Sequence, residues 1–184
     1  MDAVEEVARL FAERGDGHHG EVVDQRRHAL QCATLARGSG GCDHLVAAAL
    51  LHDVGHLVAA ATRAQFADPV ADDDRHEVVG ARWVTPRFGP RVGRAVALHV
   101  AAKRYRCTVD PAGVGALSPA SVASLRAQGG LLDAGAVARF VGHPGSADAL
   151  VLRAWDDAAK DPDAETDGLE AFLPVLARLA VPPD

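Results

Sequence analysis

The segment LLHDVGH sets His52, Asp53 and His56 among neighbours that are otherwise apolar. An aspartate and two histidines left unpaired in such surroundings each carry a large burial penalty, and a metal ion compensates all three directly. His52 and Asp53 are adjacent, so on a helix their side chains diverge by about 100°. That divergence suits a metal cluster lying between them. His56 follows His52 by one turn on the same face. Three more histidines, His28, His76 and His99, stand on other segments with helical periodicity. Imidazole nitrogens joined to a bridging carboxylate suit iron, manganese or zinc, and a ligand set without thiolate argues against a structural zinc site. Asp156 in LRAWDD completes the set from a late helix, with Asp157 as the competing position. Two cations flank this set. Lys103 follows His99 by one turn and Arg153 precedes Asp156 by three residues, a pattern that aims both at the metals as a clamp for a small anion. Ser121, Ser124 and Gln128 in SVASLRAQGG add hydrogen-bonding groups at helical spacing, and His56 adds a possible donor.

The elements that must carry these residues are helices. Apolar residues recur at spacings of three and four, and no run alternates with period two for long enough to make a strand, which predicts an all-α fold. The pattern predicts a first helix over Val4 to Phe11 and a second over Val22 to Leu35, closed by the glycines from Gly38 to Gly41. Asp43 is expected to cap a third. That segment, DHLVAAALLHDVGHLVAAA, is apolar almost all round, the mark of a buried central helix, with Gly55 as its expected break. A fourth helix is predicted from Arg75 to Val84, and Pro90 opens a fifth that bears VGRAVALHVAAKRY. Ser118-Pro119, Asp133 and Pro144 mark three later starts, and Leu169 to Leu179 reads as an amphipathic closing helix.

Bulk properties exclude several classes of partner. The chain has 184 residues, 48% of them apolar, enough for one sizeable core and too few for two ordinary domains. A single domain over 1–184 is expected, with the metal-bearing part at about 20–160 and the closing helix at about 168–180. With 19 basic against 25 acidic side chains, the net charge of −6 offers no surface for duplex nucleic acid. Cys32, Cys42 and Cys107 are odd in number and widely spaced, which points to a reducing setting rather than a disulfide framework. The opening MDAVEEVARLFAERGDG carries acids where a signal peptide needs bases, and no apolar run reaches the roughly 18 residues of a spanning helix. A soluble, cytoplasmic protein with no membrane partner is the expectation.

His28, His52-Asp53, His76, His99 and Asp156, in this order and approximate spacing, resemble the HD-domain superfamily of metal-dependent phosphohydrolases and oxygenases, which is all-helical. A bare set of one histidine, the HD pair and a late aspartate would hold one metal; the extra His76 and His99 imply two. Longer strings narrow the resemblance: GEVVDQRRHALQCA, AALLHDVGH, HEVVGARWV with RFGPRVGRAVALHVAAKRY, SVASLRAQGG and LRAWDDAAK. Together they resemble the organophosphonate-cleaving, mixed-valence di-iron oxygenases from about Gly20 to Lys160. The resemblance implies that His28, His52, Asp53, His76, His99 and Asp156 hold two iron ions, Fe(II) and Fe(III), with Asp53 as the bridge. It further implies that His56, Lys103, Ser121, Ser124 and Arg153, with Gln128 as a weaker member, contact a phosphonate. Dioxygen would be the co-substrate, and oxidative cleavage of the C–P bond in a small 1-hydroxyphosphonate would yield phosphate and a carboxylic acid. Glu21 and His18 fall where the family carries a substrate-recognising lid; Glu21 matches, while His18 stands where the family has tyrosine. The alternative on the same ligands is a phosphohydrolase acting on a small phosphate ester or nucleotide.

Overall fold

The computed structural model describes residues 2–18, 22–66, 75–110, 115 and 117–182. Among these the architecture is all-α. The helices are α1 (Ala3–Arg14), α2 (Gln25–Gly38), α3 (Asp43–Leu51), α4 (Val54–Phe66), α5 (His76–Val109), α6 (Pro119–Ala127), α7 (Ala134–Val141), α8 (Ser146–Ala158) and α9 (Leu173–Leu179).

Local chemistry sets most of the starts. Asp2 accepts from the Glu5 amide while the Glu5 side chain accepts from the Asp2 amide, a reciprocal cap that opens α1. Asp24, Ser118 and Asp133 cap α2, α6 and α7 by accepting from the amides of Arg27, Ser121 and Ala136. The second helix therefore begins at Gln25 rather than Val22, which is 72% exposed. Asp43 is not a cap: Cys42 holds that position, and Asp43 is the first helical residue, its carboxylate bonded to Arg178 at 2.7 and 2.9 Å. The eighth helix starts at Ser146, two residues past Pro144. The closing segment divides into a 3-10 turn (Leu169–Ala171) and α9, because Pro174 has no amide proton with which to continue one helix.

The largest change from the sequence pattern lies in the central helix. It breaks at His52 and Asp53, and α4 leaves at 46° to α3. Gly55 stays helical. α5 folds back on itself at Gly89, whose φ of 86° lies in the region that glycine adopts without steric cost. Its two arms run side by side, with Thr85 packed against Gly93 and Val96 against Gly80. The expected fourth and fifth helices are these arms, and Pro90 opens the second of them.

One core joins α1, α2, α3, the two arms of α5, α8 and α9 around Phe11, Leu50, Leu51, Leu152, Phe172 and Leu176. α3 lies at its centre, with Val46 to Leu51 all buried. A smaller cluster of Ala102, Phe140 and Ala149 holds α7 to the second arm of α5 and to α8. Among the described residues no single helix is long and apolar enough to cross a membrane.

Candidate metal centre

α2, the α3–α4 break, both arms of α5 and α8 each deliver one part of a buried polar cluster. His28 comes from α2 and Asp156 from α8, while His76 and His99 come from the two arms of α5. His52, at 0% exposure, and Asp53 occupy the break itself, where neither is committed to one helical face. Arg75, in the left-handed region at φ 44°, starts α5 abruptly, so that His76 is its first helical residue. That conformation costs about 1 kcal/mol in a residue with a Cβ.

The histidines meet in pairs. His28 Nε2 lies 3.1 Å from His52 Nε2, and His76 Nε2 lies 3.0 Å from His99 Nε2. Asp53 stands between the pairs with one oxygen for each. Its Oδ2 is 3.4 Å from His52 Nε2 and 3.8 Å from His28 Nε2. Its Oδ1 is 3.4 Å from His76 Nε2 and 3.5 Å from His99 Nε2. Asp156 joins the first pair, with Oδ1 3.3 Å from His28 Nε2 and Oδ2 3.8 Å from His52 Nε2. Asp157 turns away to Arg106 and Arg153. The geometry thus separates two neighbouring aspartates that spacing alone left equivalent.

The donor chemistry of this cluster fits metal ions. Nδ1 of His28, His52 and His99 faces the carbonyl oxygens of Ala159, Ala49 and Val96 at 2.7, 2.9 and 2.7 Å. A carbonyl only accepts, so each Nδ1 carries a ring proton and each Nε2 is turned into the cluster. The Nε2 atoms of His28 and His52, 3.1 Å apart, need a proton or a metal cation between them; burial would lower the His28 imidazole, but Cys32 and Asp156 outweigh it and hold it well above its usual range. Carbonyl partners of this kind orient ligating imidazoles in metal sites generally. Burial lowers His99 to about 4, which keeps it neutral. Burial alone would push the Asp53 and Asp156 carboxyls up. The imidazoles around Asp53, His52 foremost, and the Arg153 guanidinium beside Asp156 overcome it and hold both well below the usual carboxylate range.

Two lysines and a row of serines adjoin the cluster, close enough for the Asp156 and Asp53 charges to act on Lys103. Lys103 is buried and donates to Ser124 Oγ at 2.8 Å. Burial, reinforced by the Arg153 charge, pulls its ammonium down to about 8. Ser121 receives a second lysine: Lys160 Nζ lies 2.5 Å from its Oγ and 3.4 Å from Ser118 Oγ. Arg153 is 3% exposed and donates to Asp156 at 2.6 Å and to Asp157 at 2.9 Å, so its guanidinium braces the two aspartates. His56 stacks on His76 with ring centroids 4.1 Å apart. The Gln128 carbonyl oxygen is buried and accepts no hydrogen bond among the described residues. His18 is exposed at the end of a described stretch, and Glu21 lies outside the described residues.

Two site residues escape a reading by spacing. Cys32 sits one turn after His28 with Sγ 3.8 Å from His28 Nε2, and burial pushes its thiol up. The His-x-x-x-Cys spacing on α2 is the signal that would have flagged it. Lys160 follows the end of α8, where no helical register links it to the serines of α6.

A family profile for the HD domain matches residues 26–133. The chain is 37% identical over 177 residues to a protein of Leisingera caerulea named [1-hydroxy-2-(trimethylamino)ethyl]phosphonate dioxygenase (glycine-betaine-forming), covering 96% of this chain and 89% of that one. It is 37% identical over 171 residues to a hydroxymethylphosphonate dioxygenase of Gimesia maris, covering 93% and 85%. An uncharacterized protein of Acanthamoeba polyphaga mimivirus is 28% identical over 159 residues, covering 85% and 72%.

Proposed function

The chain belongs to the HD-domain family and, within it, to the phosphonate dioxygenases, and from that membership we propose that it cleaves the C–P bond of a small 1-hydroxyphosphonate with dioxygen, using two iron ions. The observation that carries the di-iron reading is Asp53, a carboxylate with one oxygen turned to each histidine pair. His28, His52 and Asp156 would hold one iron, His76 and His99 the other, and Asp53 would bridge them. When bound, the iron pair supplies activation of dioxygen and acidifies the substrate's hydroxyl group.

The chain's own residues do the positioning. Lys103 and Lys160, each held by a serine of α6, offer two ammonium groups to a phosphonate dianion. Arg153 fixes Asp156, and its buried positive charge would add to the attraction of the lysines for that anion. His56, stacked on His76, would donate to a phosphonate oxygen, and Gln128, whose carbonyl oxygen is buried, would be a weaker contact. Burial of the imidazoles excludes bulk water from the reacting carbon. The stoichiometry closes without an added reductant. A 1-hydroxyphosphonate surrenders four electrons to one dioxygen, and the carboxylic acid and the phosphate each end with one oxygen more than the group it came from. His18 and Glu21 would line the mouth and select the tail of the substrate. The assignment extends to the whole chain as one HD domain, and its three free cysteines support a cytosolic setting.

The test is anaerobic loading with ferrous iron, then exposure to hydroxymethylphosphonate and to its trimethylammonium-bearing homologue while phosphate release and oxygen uptake are followed together. Equal molar phosphate and oxygen is the expected result. Phosphate release without oxygen uptake would make the protein a hydrolase and sink this reading.

A further inference from the structure

Cys32 lies fully buried on α2, one turn after His28 and on the same face, with its Sγ 3.8 Å from His28 Nε2. His28 Nε2, Cys32 Sγ and His52 Nε2 all lie within 4.8 Å of one another. From α8, Asp156 Oδ1 lies 3.3 Å from His28 Nε2. A tetrahedral cation bound at about 2.3 Å to sulfur and about 2.1 Å to nitrogen or oxygen separates its sulfur and nitrogen donors by roughly 3.6 Å and its lighter donors by roughly 3.4 Å. The observed 3.8, 3.1 and 3.3 Å lie close to those spacings. The four side chains come from three parts of the fold: α2 supplies His28 and Cys32, the α3–α4 break His52, and α8 Asp156.

We propose that His28, Cys32, His52 and Asp156 form a four-ligand site for a thiophilic divalent cation such as zinc, one that competes with iron for this half of the centre. The competition rests on the functional reading above; the four-ligand site does not. Binding exchanges the Cys32 S–H bond for a metal–sulfur bond, the proton leaves to solvent, and no oxidation state changes. Iron is satisfied by the nitrogen and oxygen donors, and the added sulfur favours zinc, which stands above Fe(II) in affinity at such a site. With four protein ligands a tetrahedral cation has no open position, so the zinc form holds neither substrate nor dioxygen at that ion. The centre therefore contains its own route to inhibition by the wrong metal.

Cobalt(II) serves as the spectroscopic probe. The full chain, stripped of metal with a chelator and kept anaerobic, should develop a sulfur-to-cobalt charge-transfer band in the near ultraviolet as cobalt(II) is added. Cys32→Ala and Cys32→Ser should lose that band while keeping the far-ultraviolet circular dichroism of the native helices. Zinc, measured against a chromogenic chelator, should bind wild type about a hundredfold more tightly than either variant. A wild type without the band overturns the proposal, as does a band that survives in both variants, which would place Cys42 or Cys107 on the metal. Should both variants lose their helices, cadmium NMR of the wild type decides, because a thiolate ligand moves the resonance far downfield of an all-nitrogen and oxygen site. Ferrous uptake and oxygen consumption on the same wild-type preparation separate the two readings. Their failure removes the dioxygenase and leaves the zinc site standing, whereas a missing cobalt band removes the zinc site alone.

Discussion

Asp53 does at the scale of one side chain what no single ring nitrogen can: it turns one oxygen to each histidine pair. Asn at that position keeps the volume but loses the charge and one acceptor oxygen, so Asp53→Asn should lose the paired centre. The expected iron content is below one per chain, with turnover down at least about a hundredfold, the upper range for lesser changes around metal ligands. His76→Ala should instead lose only the iron shared with His99, together with turnover. Iron analysis after gel filtration separates these outcomes, and an alanine variant that keeps both irons would unseat the ligand assignment. Lys103 carries a prediction of its own. Burial lowers its ammonium to about 8, so the positive charge is present below that pH and is lost as the pH rises through it. The apparent KM for the phosphonate should rise above about pH 8, and Lys103→Arg, which stays protonated, should flatten that rise. At this scale the sequence was informative. Histidines and aspartates inside apolar helical segments are costly enough that their presence implies a partner, which is why His52 and Asp53 stood out; His28, His76 and His99 stood out as members of one spaced set, and Asp156 was separable from Asp157 only through the family resemblance. Lys160 and Cys32 did not, since a lysine after a helix and a cysteine in a core are each ordinary, and only the tertiary contact makes them otherwise.

Gly55 shows how an element can be misjudged while its residues are not. A glycine in a helical pattern suggests a break, but α4 runs through it, and its value is the missing side chain. A Cβ there would stand 2.0 Å from the His76 carbonyl oxygen and 2.9 Å from the Gly80 amide nitrogen. The α4–α5 crossing therefore depends on bare backbone at Gly55, and the crossing is what brings His76 to His99. Gly55→Ala should destabilise the fold by about 1 to 3 kcal/mol, the usual cost of an added methyl in a tight core. It should also lower iron content, because His76 is carried on the displaced backbone. Urea unfolding with iron analysis checks both, and an alanine variant as stable and as fully loaded as wild type would show that the helices separate freely. The real break, at His52 and Asp53, has no signal in residue propensities. It follows from the metal cluster's need for two adjacent side chains that point to different donors, a tertiary demand. Capping signals fared better, because Asp24, Ser118 and Asp133 act on amides only three residues away.

Across the whole molecule, the polar cluster sits where α2, α3, α4, α5 and α8 converge, beside the main apolar core. The all-helical class was legible because periodicity is a local property repeated along the chain; the convergence was not, because it depends on the fold-back at Gly89 and the bend between α3 and α4. That placement joins metal binding to stability. Without metal, His28 and His52 bring two ring nitrogens together at 3.1 Å, with the negative charges of Asp53 and Asp156 in the same buried space. With metal, the same groups tie four separate elements together. A ligand that binds only the folded chain adds about 2.7 kcal/mol at a free concentration a hundred times its dissociation constant. For a chain of this size each kcal/mol is worth about 2–4 °C in Tm. Removing both ions should therefore lower Tm by about 10 °C or more. Scanning calorimetry of chelated and ferrous-loaded protein, under argon, measures the difference. His76→Ala should show about half of it, because one ion remains, and Lys103→Arg should show the full shift, because it alters no metal ligand. A Tm that does not respond to chelation would mean that the cluster is satisfied without metal, and the dinuclear assignment would fail with it.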